Sequence, residues 1–511
     1  MSLDLAFGIA RSGLLATQRA LAQVTHNLAN ADTPGHTRKS AEAETVSIAG
    51  QPLGVRLGAA QRSVDQALVA ERHARGGEAA AALLRERLLA FVEAAHGAPG
   101  ERDTLGGAMG GLREGLIALR AAPGDTGRLR EAQEAARALT RRFHDIAEAI
   151  GEARQRAQDG IVDEVSRVNA ALREVAELTN RIRQDRVLGV PTGDLEDKRD
   201  LALGRLSESL PVRALHQADG GLVLVTQGGL GLPLDPRGEV FSTDRASVGP
   251  EAYYGPGGAL PGVAFGGVDV TRQLAGGRLG ELIALRDATL PRYQAELDLA
   301  AAHLAARFDA QGLRLFTGAS GQVPDVTLPY NDPASGIMGF ANQIRLSEEV
   351  AQNPALLRDG THAVADTPGG PSAFTPNPPG GPQGFAGLLD RLIEHAMGET
   401  VRPGTAWAGL PVGGLGPDGS LASPFLAPRS LEAYAGVLAS AQAGDRAAAA
   451  GAAERAQALQ RGLDARFQNE SGVDADAEMA ALIRLQNAYA ANARVLSTAQ
   501  SMWDTLLGAV R

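Results

Sequence analysis

The sequence predicts a mainly α-helical chain with β-containing insertions. Three observations carry that prediction: apolar heptads at both ends, a long proline-free stretch of helical periodicity in the middle, and a proline-rich stretch that interrupts the helices late in the chain. The expected architecture is a pair of coiled-coil-like terminal helices, a body built from long helices, and a Pro/Gly-rich outer insertion.

Phe7, Leu14, Leu21 and Leu28 recur at every seventh residue, and Leu3, Ala10, Thr17, Val24 and Ala31 fill the second seam position. This pattern predicts one amphipathic helix over about residues 3–31. Asn30-Ala31-Asp32-Thr33-Pro34-Gly35 ends it, because the residue before a proline is driven out of the helical region and Pro-Gly favours a turn. The other end repeats the device. Leu482, Tyr489, Leu496, Trp503 and Val510 are spaced by seven, with Met479, Gln486, Ala493, Gln500 and Leu507 in the companion position. Ser471 to Asp474 supplies turn and cap chemistry, and Asp476 and Glu478 suit the positive end of the helix that follows. A lone helix of this length is marginal in water, so the two ends are expected to pair as a unit of residues 1–61 plus 471–511. Their stripes either complete a bundle inside one globule or pack against neighbouring subunits. The polar seam residues Thr17, Gln486 and Gln500 favour the second arrangement.

No proline occurs from Gly127 to Arg186, where apolar residues recur in steps of three and four, which predicts one long helix with Gly151 and Gly160 as candidate kinks. Further helices are expected over about 62–95, 194–209, 277–310 and 429–468. Between them, Leu222-Val223-Leu224-Val225-Thr226 is bounded by glycine pairs and predicts small antiparallel strands within residues 210–270. Residues 62–320 plus 429–470 therefore read as a helical body. The 108 residues from 321 to 428 hold 15 of the 27 prolines and read as a surface-exposed outer insertion, partly β and partly irregular.

Composition excludes several kinds of chemistry. The chain has no cysteine, so thiolate metal sites, disulfides and cysteine nucleophiles are absent. Of 49 basic residues only Lys39 and Lys198 are lysines, and neither lies in a phosphate-binding loop motif. A net charge of −10 with no basic segment speaks against nucleic acid. No apolar run is long enough to span a bilayer, so no membrane insertion is expected. Met1 to Leu15 has no basic leader, and Asp4 and Arg11 interrupt its apolar stretch, so no cleaved Sec signal is expected. None of the nine histidines has metal-ligand spacing, and His26 and His144 read as ordinary boundary residues. Gly318-Ala319-Ser320-Gly321 lacks the nucleophile-elbow spacing. The acidic group Asp194, Glu196, Asp197 and Asp200, interleaved with Lys198 and Arg199, reads as a solvated helix start. No catalytic residue, cofactor or metal is expected. An enzyme on a helical scaffold would need convergent titratable groups around a deep pocket.

The ends carry a specific resemblance. Asn27-Leu28-Ala29-Asn30-Ala31-Asp32-Thr33-Pro34-Gly35 resembles the N-x-A-N-x-x-T-P-G signature of the flagellar rod, hook and junction proteins. The junction members continue Y-S-R-Q; here Arg38 matches, while His36, Thr37 and Lys39 replace the others. The stretch from Ser471-Gly472-Val473 through Leu482, Gln486, Tyr489, Leu496 and Leu507 is similar to the family's terminal helix. Asp197-Lys198-Arg199-Asp200 with Leu206-Ser207, and Gly276 to Gly280 followed by Leu285-Arg286-Asp287, resemble internal segments of the junction type. A hook or distal-rod subunit is the alternative, but such subunits have β-rich bodies, against which the long helix at 127–186 speaks.

This resemblance implies an extracellular structural component of the bacterial flagellum that forms a ring of its own copies between hook and filament. It implies hook protein below and a second junction protein (hook-associated protein 3) above. Export would run through the flagellar type III pathway without a cleaved signal, with a cytoplasmic chaperone on the C-terminal helix. Assembly contacts are expected at Phe7, Leu14, Leu21, Leu28, Asn27, Asn30, Pro34 and Gly35, and at Leu482, Gln486, Tyr489, Leu496, Trp503 and Leu507.

Overall fold

A computed structural model describes residues 3–48, 51–97, 103–235 and 237–509. The first helix, α1 (Leu3–Ala29), ends five residues before Pro34, as the turn sequence requires. A β-hairpin of Ala43–Ile48 and Gln51–Leu57 follows and packs on α1, where the Val55 amide donates to Ser12 Oγ at 3.1 Å. Sequence reading gave no strand there. Then come α2 (Gln66–His96), capped by Asp65, α3 (Leu105–Ala121) and α4 (Thr126–Val187), capped by Asp125.

The α4 helix is the predicted long one, with 62 residues and a length of about 93 Å at ~1.5 Å per residue. It runs without interruption through both glycines proposed as kinks. Gly160 instead makes room for α6 (Gly277–Ala284), since a Cβ there would lie 3.0 Å from Leu282. Sequence reading missed α3, because five glycines hide its periodicity. Yet Leu105, Met109, Leu112, Leu116 and Leu119 line one buried face.

After α5 (Gly193–Ser209) come two small antiparallel sheets. The first pairs Leu222–Thr226 with Val212–His216 and Gly231–Leu232. The second joins Phe241–Ser242, Ala264–Phe265 and Val268–Asp269. The α6 helix passes through a π-turn, Leu285–Thr289, into α7 (Leu290–Ala310). The wider turn directs the Arg286 side chain inward, where it is fully buried and donates to Gln158 Oε1 at 2.7 Å and to the Pro261 carbonyl at 2.9 Å. Last come α8 (Leu431–Ser471), which packs antiparallel to α2, and α9 (Ala475–Ala509), which packs antiparallel to α1.

One contiguous core runs from α2 through α8. The segment 321–428 is irregular with short strands, as its prolines require, but it does not stand off from the body as an outer layer. Tyr330, Phe340, Ile344, Leu388, Leu392 and Leu415 are buried in that same core. The Asp298 carboxylate on α7, wholly buried, accepts from the Tyr330 hydroxyl at 2.9 Å and the amides of Gly339 and Ala341 at 2.8 and 2.9 Å. Proline abundance reports irregular backbone; it does not report exposure. Among the described residues, neither α1 nor α9 contributes to the core.

Candidate assembly site: the terminal helix pair and its ionic anchor

The pair of α1 and α9 covers its seams only in part. Ala10, Thr17 and Val24 are buried, whereas Leu14, Leu21 and Leu28 are half-buried and Phe7 is 37% exposed. Leu482, Tyr489 and Leu496 on α9 are likewise half-buried, Gln486 is exposed, and Trp503 is 45% exposed. Exposed Leu15, Met479, Ile483, Val495 and Met502 extend this apolar surface. The side chain of Leu507, and Val510 altogether, lie outside the described residues. The pair thus covers its heptad residues only in part and leaves Phe7, Leu15, Met479, Ile483, Val495, Met502 and Trp503 in water, and exposed apolar side chains in this number mark a contact surface. Thr17 needs no neighbour, because its hydroxyl donates to the Gly13 carbonyl at 2.7 Å within its own helix.

The motif residues after the stripe act within the chain. Asn27 is buried; its Nδ2 donates to the Lys39 carbonyl at 2.9 Å and its Oδ1 accepts from the Lys39 amide at 3.2 Å, so it pins the returning strand as a backbone partner would. Asn30 Nδ2 donates to the His26 carbonyl at 2.9 Å and closes the helix end. Pro34 is exposed at the turn. Gly35 has φ +77° and sits so close to Leu201 that a Cβ would lie 2.5 Å from its side chain.

The acidic group on α5 is not a solvated helix start. Asp194, Asp197 and Asp200 are spaced by three, so they share a face, and the T-P-G turn delivers cations to it. Lys39, 5% exposed, donates to Asp197 at 2.6 Å and Asp194 at 2.8 Å. Arg62 lies 2.9 Å from the same Asp197 and also pairs with Asp200. Thr37 adds its amide at 3.1 Å and its hydroxyl at 2.7 Å. On the far side, Arg38 donates to buried Glu478 at 2.7 Å, and its amide donates to the Ser471 carbonyl at 2.8 Å. Residues 37–39 and 61–62 are thus clamped between α5 and the start of α9.

Electrostatics fit this geometry. Burial and the Lys39 ammonium both hold His36 below its ordinary value, so it is neutral at pH 7. Burial pushes the Asp194 carboxyl up, but Lys39 outweighs it and keeps the group below the usual range. His36, Asp194 and Asp197 converge closely enough to hold a metal ion, but the Lys39 ammonium already bonds all three. Sequence reading missed Lys39, Arg62 and Asp197 as a set. The available signal was one of only two lysines lying four residues past the T-P-G turn, and a triplet of carboxylates on one helix face.

Comparison with known proteins matches this layout in order. The model of the flagellar basal body rod proteins matches residues 7–37, that of the C-terminal part of flagellar basal body rod FlgEFG proteins matches 465–509, and that of the flagellar hook-associated protein FlgK helical domain matches 97–322. The chain is similar to the flagellar hook-associated proteins of the junction type over its body and to the rod proteins at its two ends. The body carries this likeness, because its match is to the helical domain of FlgK, whereas the two end matches are to rod proteins. A solved structure, the flagellar hook junction protein FlgK from Burkholderia pseudomallei, is 22% identical with a TM-score of 0.40, over 50% of this chain and 45% of that one. The likeness therefore spans less than half of that protein. No curated protein matches the chain. Among the described residues no helix of this chain is long and apolar enough to cross a membrane.

Proposed function

We propose that this chain forms the junction ring between flagellar hook and filament and is needed for filament assembly. One observation carries the reading: the terminal helices lie outside the core, cover their heptad residues only in part, and leave Phe7, Trp503 and other apolar side chains exposed. Copies stacking side by side bury Phe7, Leu14, Leu21, Leu28, Leu482, Tyr489, Leu496 and Trp503. At about 25 cal/mol per Å² of apolar surface, these six half-buried and two exposed side chains per copy give each contact a substantial driving force. Asn27, Asn30, Pro34 and Gly35 position the pair on the body. The units are the terminal pair, 1–61 plus 471–511, and the helical body, 62–320 plus 429–470, onto which 321–428 is packed.

Partners follow from the same reading: further copies in the ring, hook protein below, and hook-associated protein 3 above. Export passes through the flagellar type III pathway, and a cytoplasmic chaperone covers the α9 stripe until then, since an uncovered stripe self-associates. The role is mechanical, not catalytic. The test is Leu496→Asp. The purified variant should keep the melting temperature of the body while cells carrying it build no filament and do not swim; retained swimming overturns the reading.

A further inference from the structure

A cleft of about 730 Å³ lies on the body between α2, α8 and the α4–α6 layer. Its floor is small and apolar: Ala79, Ala80, Leu83 and Leu84. Arginines from four helices rim it, Arg87, Arg167, Arg278 and Arg461, with Glu208 the lining carboxylate among them. Arg278 is neutralised by Glu164 at 3.1 Å and Glu208 at 2.9 Å, and Arg167 also pairs with Glu164. Arg87 makes no ion pair or hydrogen bond among the described residues, and Arg461 bonds only the Gln457 carbonyl at 3.3 Å. Two guanidinium groups thus stand unpaired over an apolar floor in a chain whose net charge is −10. Small floor residues let a helix backbone come close, and the free arginines ask for carboxylates on it.

The complementary surface is on the same chain. Asp145, Glu148, Glu152, Asp159 and Asp163 follow one another on α4 at steps of three, four, seven and four, a single face about 27 Å long. That face looks away from the core, which α4 meets with Ala147, Ile150, Ala153, Ala157 and Ile161. Asp145 and Glu152 have local arginine partners, but Glu148 and Asp163 are exposed and have none among the described residues. The ridge cannot enter its own groove, because α4 itself supplies Arg167 to the rim.

We infer that the arginine groove of one copy receives the acidic α4 ridge of a second copy. Groove and ridge are different surfaces, so the contact is head-to-tail and serves a ring or a stack. It rests on the junction-ring reading and adds to it a bond between bodies, separate from the terminal helices. Matched charge fixes register and partner choice here more than raw affinity.

The absence of cysteine makes a clean test possible. Full-length Gln457→Cys and Glu148→Cys chains with different tags are co-expressed, and isolated flagella are treated with a bis-maleimide. The expected product is a dimer carrying both tags, absent when either cysteine is missing. Arg87→Glu with Arg461→Glu should lower its yield at least tenfold. Adding Glu152→Arg and Asp163→Arg to the partner should restore it to within threefold, which a folding defect could not do. Intact filaments without the mixed dimer, a dimer indifferent to charge reversal, or the groove cysteine captured only by another protein each overturn the contact. All three leave the junction role standing. That role fails separately, through swimming retained by Leu496→Asp.

Discussion

Replacing Asp197 by alanine should detach the terminal unit from the body without melting the body. Asp197 is 5% exposed and accepts from Lys39, Arg62 and both donors of Thr37. Removing one partner of a buried ion pair costs about 3–5 kcal/mol, because the opposite charge stays buried and unpaired. Here Lys39 keeps Asp194 and Arg62 keeps Asp200, so the lower end applies, about 3 kcal/mol. At about 1.4 kcal/mol per tenfold, the opening equilibrium of this joint rises roughly a hundredfold. Amide exchange reads it directly at Arg38, whose N–H bonds Ser471, and at Ser63, whose N–H bonds Arg38. Both amides should exchange roughly a hundred times faster in the variant, while the buried face of α4 keeps its protection. Asp197→Asn, which preserves shape and one acceptor oxygen, should fall between the two. Exchange at Arg38 and Ser63 within threefold of the parent would refute the anchoring role.

Three further outcomes follow from the same geometry. Gly35→Ala forces a side chain into a left-handed backbone position against Leu201, and should cost about 1–3 kcal/mol, measurable by denaturant unfolding of the full chain. Asp298→Ala orphans the Tyr330 hydroxyl and two buried amides, so protease should cut within residues 325–345 at a concentration that leaves the parent intact. Burial, with help from Arg307, pushes His303 down to about 4, below its ordinary value of 6.5. The unfolded chain then binds the extra proton between those values, so this contribution is complete above pH 6.5 and is lost as pH falls toward 4. Stability of the parent relative to His303→Gln should decline over that window, by at most about 1.4 kcal/mol per pH unit; a difference independent of pH would contradict the burial.

Much of the fold was legible because helices are local. The heptads placed α1 and α9, the proline-free periodicity placed α4, and Pro34 fixed where the first helix stops. The α3 helix was not legible, because glycines dilute its local signal and tertiary contacts, chiefly with α4 and also with α8, stabilise it. The hairpin at 43–57 escaped for the same reason, since its place is set by α1. At the site, the stripes could be named residue by residue, and so could the motif that carries the family resemblance.

What the sequence determined by itself was periodicity, and with it the existence of two apolar stripes that need cover. Tertiary structure alone decided how much cover each receives. Whether Ala10 or Phe7 meets α9 depends on how two helices are rotated against each other, which no single strand of text encodes. It also decided that Lys39, Arg62 and Asp197, up to 158 positions apart, neutralise one another in a buried joint. Charges that read as solvated on a helix become an anchor only when folding carries their opposites to them and removes the water between.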